Sequence, residues 1–504
     1  PDTLDSPPPE ESIISQYYDF FENTFLHRGA AHRGPAENVN TLGEVPNSSW
    51  YTNRHYRRRM SIAELMRGPN QSDGPDTTHN WLIIKGKGQG ITPGFTIKDA
   101  RGDLYLIKFD PLTNPEMATA AEVICTKFFY ALGYNVPENY LTYISPEKLV
   151  LSPTATVKDI FGNKRPLTPD TLEAMLSRVP RDGRGYFRVI ASKFLSGKPV
   201  GPFRYYGTRP DDPNDVIPHE ARRELRGLRV FCAWLNHDDS RSVNTLDMYV
   251  EEDGRHFVRH YLIDFGSTLG SGSVKVQSYR AGNEYIFELT PILKSLFTLG
   301  LWVRPWVKVK YPPYPSIGRF EGDFFDPRKW KPEYPNPAFN NCDGEDAFWA
   351  AKQVMHFTDE EIRAIVSTGQ LSDKAAEAYL VRTLIKRRDK IGQAYLRFGG
   401  GLDRFRVNEE NRLQFEDLPA QYGLEPSGRE RRIRWQTFDN LTGKAGKVLH
   451  ELHSRALRLA IPSTESAYLM VTIETPGVGT TRVFLRREGE KYAVVGVRRE
   501  AFRK

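Results

Sequence analysis

The chain has 504 residues, with 70 Lys and Arg set against 63 Asp and Glu, for a formal net charge of +7. The two signs are interleaved, which excludes a dedicated nucleic-acid binder and leaves mild attraction to phosphates or anionic surfaces. Three cysteines, Cys125, Cys232 and Cys342, exclude a disulfide framework and a Cys-rich metal site, and no stretch approaches the roughly 20 apolar residues of a membrane span.

A chain of this length exceeds one core, so two or three domains are expected. Residues 1–75 are rich in Pro, Arg, Asn and Ser. One amphipathic piece, SIISQYYDFFENTF, interrupts them, and Trp50, Tyr51 and Tyr56 suggest an arm laid on a larger body. A strand meander follows: WLIIK, the glycine-rich KGKGQGITPG, FTIKD and LYLIKFD. NPEMATAAEVICTKFFYALGY predicts a long helix, after which VPENYLTYI and KLVLS resume the strands.

From 151 the chain turns loop-rich before a strand in FRVIASKFL and a one-faced helix over 222–235. The roughly twenty residues between HDDSRSVN and DFG read as a strand hairpin. Further helices are predicted in DAFWAAKQVMHF, in TDEEIRAIVSTG and in the segment after SDKA, where Thr or Ser oxygens can cap free N–H groups. Beyond GGGLDRF the composition shifts to strands, as in AYLMVTIET and TRVFLRRE. KVLHELHSRALRLA reads as a solvated helix face, with His450 and His453 three apart and no third ligand nearby.

Phosphoryl transfer from ATP asks four things of a protein: a backbone cradle for the phosphates, a cation on the α/β-phosphates, oxygen ligands for Mg²⁺, and a carboxylate for the nucleophile's proton. Each has a candidate here. Asp239 and Asn244 form a D-x-x-x-x-N element after a helix, and Asp264 ends the apolar run YLID, followed by Gly266. Asp264 and Asn244 supply hard oxygens suited to Mg²⁺. Lys108 lies in the strand LYLIKFD and needs an acidic partner if buried, for which Glu122 on the next helix is the natural choice. Gly86, Gly88, Gly90 and Gly94 can open a backbone path to phosphates.

HDDSRSVN (237–244) resembles the H-R-D-x-x-x-x-N catalytic loop of protein kinases, and DFG (264–266) stands unmodified. LIDFG followed by STLG, with a helix glutamate ahead of ALGYNVP, is similar to the atypical branch of HipA-like kinases and phosphatidylinositol kinases. The resemblance spans roughly 80–395. It implies an α+β, two-lobed protein-kinase-like fold: a β-rich N-lobe (76–150), a helical C-lobe with the catalytic loop and DFG (151–398), an N-terminal arm (1–75) and a C-terminal β-rich domain (399–504).

The roles implied are Lys108 on the α/β-phosphates and paired to Glu122, Asp239 as catalytic Asp, Asn244 and Asp264 as metal ligands, and Arg241 neutralising transition-state charge. Gly88, Gly90 and Gly94 would line the nucleotide. The cofactors implied are ATP with Mg²⁺ (or Mn²⁺), and the acceptor is a hydroxyl, expected on protein Ser/Thr. A lipid or small-molecule kinase, an AMP transferase and a pseudokinase scaffold are the alternatives.

Asp238 stands where typical protein kinases keep the arginine that grips a phosphorylated activation loop, and no Ala-Pro-Glu follows DFG. Control by loop phosphorylation is therefore not expected. A register slip of one residue would make Asp238 the functional acid instead of Asp239, and His237 reads as a structural hydrogen-bonding residue. The missing initial Met and Pro-rich start lean towards an exported, periplasmic protein with its leader removed, with the cytoplasm as the alternative.

Overall fold

The computed structural model describes residues 2–27, 34–87, 94–158 and 163–501, and they form a mixed α+β structure with several sheets. The N-terminal segment carries α1 (Gln16–Phe21), continued by a wider turn to Leu26, and α2 (Ile62–Arg67), which opens with a Ser61–Glu64 capping box. Trp50 and Tyr51 are buried; the Trp50 ring stacks on His260 at 3.5 Å, and Tyr51 donates to Gln353 Oε1 at 2.9 Å.

The next strands are β1 (Trp81–Gly86), β2 (Gly94–Lys98), β3 (Leu104–Phe109), β4 (Asn139–Ile144), β5 (Leu149–Lys158), β6 (Lys164–Pro166) and β7 (Phe187–Lys193). They make one seven-stranded sheet in the order β4-β7-β3-β2-β1-β5-β6, with β1–β5 parallel. The expected lobe boundary at 150 falls inside this sheet: β7 returns after a loop and α4 (Pro169–Leu176) to pair between β4 and β3. Alternation along β3 sends Tyr105, Ile107 and Phe109 into a core with Trp81, Ile83, Phe95 and Ile97. Lys108 therefore faces the other way. There lies α3 (Met117–Ala131), which is buried on nearly every side and so behaves as a core helix rather than a surface one.

The helical part is built on α5 (Arg223–Leu235), which packs against α8 (Gly344–His356) and α10 (Lys374–Tyr395). Between α5 and α8 lie α6 (Leu289–Phe297) and α7 (Pro337–Asn340), and α9 (Asp359–Ser367) precedes α10. The predicted capping box at 358–361 forms, Thr358 accepting from Glu361 N, whereas α10 is capped by Asp373 rather than Ser372. Strand β8 (Lys198–Pro199) joins the hairpin of β9 (Thr245–Glu252) and β10 (Arg255–Leu262), which turns through Asp253 and Gly254, both at positive φ.

Past 400 the chain is β-rich. Strands β11 (Leu402–Val407), β12 (Arg412–Asp417), β13 (Arg431–Asp439), β14 (Lys444–Ser454), β15 (Arg458–Ala460), β16 (Tyr468–Thr475), β17 (Gly479–Glu488) and β18 (Lys491–Ala501) form a three-stranded and a five-stranded sheet. Leu413, Ile433, Trp435, Val471 and Val483 lie in their common core. The helix expected around His450 and His453 is instead β14, and its odd spacing of three puts the two imidazoles on opposite faces of the strand.

Candidate active site

Helix α5 ends at Asn236, whose left-handed φ of 52° turns the chain sharply into His237, Asp238 and Asp239. Eight consecutive antiparallel pairs, Thr245↔Leu262 to Glu252↔Arg255, then fix the register of β9 against β10. Beyond the last pair, Ile263 donates its N–H to the Asn244 carbonyl at 3.1 Å. Asn244 and Asp264 are thus held at the same open end of the hairpin. The Asn244 amide also donates 2.8 Å to the Asp239 carbonyl, which closes the loop.

Lys108 joins this end to the sheet. Its Nζ lies 3.1 Å from Glu122 Oε2 and 2.9 Å from Asp264 Oδ1. Glu122 is fixed independently, since Oε1 accepts from the N–H of Phe265 (3.1 Å) and from Asn139 Nδ2 (3.2 Å). Burial pushes the Glu122 carboxyl up, against the pull of Lys108. Lys108 itself is disfavoured by burial, yet Asp264 and Glu122 hold it above the ordinary lysine value. Next to that ammonium, Asp264 falls to about 2 and stays ionised. Its side chain keeps 39% of its surface exposed.

Gly266 sits where a Cβ would come 2.8 Å from Ser273 Oγ and 3.2 Å from Glu122 Oε2. Gly94 lies directly across from Lys108 in the β2–β3 register, and a Cβ there would meet the Ile107 carbonyl at 2.7 Å. Gly88 and Gly90 fall outside the described residues.

Asp239 and Arg241 form a close pair, Nε to Oδ1 at 2.5 Å, and Arg241 also reaches Glu333 at 3.1 Å. Burial raises the Asp239 carboxyl to about 7; Arg241 opposes the shift, and the charges of Glu333 and Asp264 add to it. Asp238 is turned to other work: its Oδ1 accepts from Gln277 at 2.6 Å, and its carbonyl accepts from the Glu333 N–H at 2.8 Å. Burial, with the charges of Asp239 and Glu333, pushes the Asp238 carboxyl well up. His237 is buried and driven down to about 4, hence neutral, with its ring against Phe129 and Phe265.

Four contributors escaped the sequence reading. Lys87, the residue after β1, lines the same pocket as Lys108, Glu122, Asp264 and Gly266, and burial lowers its pKa. Asn139 and Glu333 brace the two acidic clusters. Asp19 on α1 is fully buried and accepts from Ser242 Oγ at 2.8 Å and Tyr334 OH at 2.5 Å, which ties the N-terminal segment to the loop over 237–244. The sequence cue to Asp19 is a lone acid among aromatics in QYYDFF.

Asp264 and Asn244 offer one carboxylate and one amide oxygen, a donor set that suits Mg²⁺ when nucleotide phosphates supply further ligands. Among the described residues there is no cluster of three or more His, Cys, Asp or Glu able to hold a metal without such help. No family model matches the chain, and no curated protein does. Among solved structures, it is similar to the Helicobacter pylori proinflammatory kinase CtkA at 13% identity and a TM-score of 0.30, over 60% of this chain and 93% of that one.

Proposed function

We propose that the protein is an ATP- and Mg²⁺-dependent phosphotransferase of the atypical, HipA-like kinase type, moving the γ-phosphate to a hydroxyl. The observation that supports this most is the ion-paired junction of Lys108, Glu122 and Asp264, set beside a loop in which Asn244 and Asp239 are hydrogen-bonded together. A scaffold needs none of these groups in one place. In the reading, Lys108 steadies the α/β-phosphates while Glu122 keeps it in position. Asp264 and Asn244 would hold Mg²⁺ (or Mn²⁺), which neutralises phosphate charge when bound.

Asp239, ionised above its raised pKa, accepts or orients the acceptor's proton. In the same reading Arg241 offsets charge that develops on the transferred group. The acceptor class we name is the hydroxyl of protein Ser or Thr, on the strength of the sequence motifs. Intact-mass spectrometry of the protein and of candidate acceptors after incubation with ATP and Mg²⁺ tests the reading. Gain of a phosphate supports it, gain of a whole nucleotide makes the protein an AMP transferase, and no product with no nucleotide-induced thermal shift makes it a scaffold.

A further inference from the structure

The segment between DFG and Glu333 carries the largest stretch of exposed apolar side chains in the described residues. Helix α6 has no buried residue at all. Leu296 is 66% exposed, Phe297 81%, Leu299 91% and Leu301 85%. Folded proteins rarely leave so much contiguous apolar surface in water without a use for it. The patch continues onto the N-terminal segment, where Phe25 packs 5.4 Å from Phe287 and Leu26 is exposed.

Within residues 289–311 the charge has one sign. Between Leu289 and Tyr311 the sequence has four basic residues, Lys294, Arg304, Lys308 and Lys310, and no acidic one. Arg304 is spent on Glu284 at 2.9 Å, whereas Lys294, Lys308 and Lys310 are exposed and make no ion pair among the described residues. Lys294 sits 5.6 Å over the ring of Trp302, an aromatic that combines an apolar body with a polar edge.

We propose that this segment docks the protein peripherally on an anionic phospholipid bilayer. Helix α6 and the turn after it would lie in the interface, with Phe297, Leu299 and Leu301 at the acyl boundary and the three lysines among the phosphates. Two rival occupants fit less well. A second copy of the chain, paired about a twofold axis, would bring Lys294, Lys308 and Lys310 towards their own counterparts, while the nearby Glu284 and Glu288 are already engaged by Arg304 and Lys331. A spanning helix is ruled out for α6, whose nine residues reach about 14 Å against a hydrocarbon core of about 30 Å.

The segment is rooted at the candidate active site, because Ile286 donates to the Glu333 carbonyl at 2.8 Å and Glu333 donates to the Asp238 carbonyl at 2.8 Å. Docking would therefore bring the catalytic loop to a membrane surface, although lipid binding does not depend on the phosphotransfer reading.

Sedimentation of the full chain with phosphatidylcholine vesicles, with and without about a third phosphatidylserine, tests this. The protein is expected to pellet with the anionic vesicles, to stay in solution with the neutral ones, and to dissociate as salt screens the lysines. Phe297→Glu with Leu299→Glu, and separately Lys308→Glu with Lys310→Glu, should each weaken partitioning at least about tenfold with unchanged melting, since all four side chains are exposed. Absence of binding to anionic vesicles, or binding untouched by both pairs, overturns the proposal. So does wild-type self-association in analytical ultracentrifugation that Phe297→Glu with Leu299→Glu abolishes, because a second copy would then cover the patch.

Discussion

Lys108 crosses 156 residues of sequence to place its ammonium 2.9 Å from Asp264, while the same atom lies 3.1 Å from Glu122. A strand from the sheet and the end of the β-hairpin are thereby joined through one cation. Glu122 is 2% exposed, so losing Lys108 would strand a carboxylate in low dielectric. Lys108→Ala is expected to destabilise the fold by about 3 kcal/mol, the lower end for breaking a buried pair because Phe265 and Asn139 still bond Glu122. Lys108→Met combined with Glu122→Gln should cost clearly less than the sum of the single changes in urea unfolding. Strict additivity would mean that the two groups do not interact.

The raised Asp239 carboxyl makes a pH prediction with a definite sign. The group must be ionised to take a proton, so kcat should fall as pH drops through about 7. Glu333 raises this pKa and Arg241 lowers it. Glu333→Gln should therefore move the acidic limb of the pH–rate profile to lower pH, and Arg241→Gln should move it higher. A limb that stays put in both variants would assign it to another group.

Asp19 gives the N-terminal segment a direct part in the site. Asp19→Ala would leave the Ser242 and Tyr334 hydroxyls without their acceptor in a buried position. The expected cost is about 2 kcal/mol or more in unfolding free energy. A fall in kcat at nearly constant KM for ATP is also expected, since the loop bearing Asp239 loosens while Lys108 stays in place. Loss of stability with unchanged kcat would reduce Asp19 to a packing role.

Glycine positions around DFG should divide sharply. At Gly270, where φ is 83°, an added Cβ would lie 2.5 Å from backbone atoms of Arg319, and backbone cannot step aside as a side-chain end can. Gly254, at φ 72° in the hairpin turn, has nothing within 4 Å. Gly270→Ala is expected to cost about 3 kcal/mol and Gly254→Ala only about 1 kcal/mol, read from denaturant midpoints. Equal costs would show that the Gly270–Arg319 crossing is not held tightly.

Local pattern carried much of this architecture. The apolar run of LYLIKFD gave strand β3 with Lys108 in it, and the period of 222–235 gave α5, because each depends only on neighbours in sequence. What local pattern cannot convey is long-range pairing. Strand β7 enters the sheet between β4 and β3 after a long excursion, which no property of FRVIASKFL announces. The same holds for Asp19 and Glu333, whose partners lie 223 and 92 residues away. KVLHELHSRALRLA failed for a different reason: its apolar residues fit a helix, but pairing of β14 with β13 outweighed that preference. At Asp238, the motif departure is matched by a different set of partners, Gln277 and the Glu333 backbone.

The most direct test of the phosphotransfer reading is γ-phosphate transfer and ATP turnover, with Mg²⁺, by wild type and Asp264→Asn. The substitution keeps the shape of the side chain but removes the charge that Lys108 and a metal would share. Measurable turnover in wild type, at least about 100-fold lower in the variant with nucleotide-free melting still cooperative, is the predicted result. Equal turnover in the two proteins would contradict it.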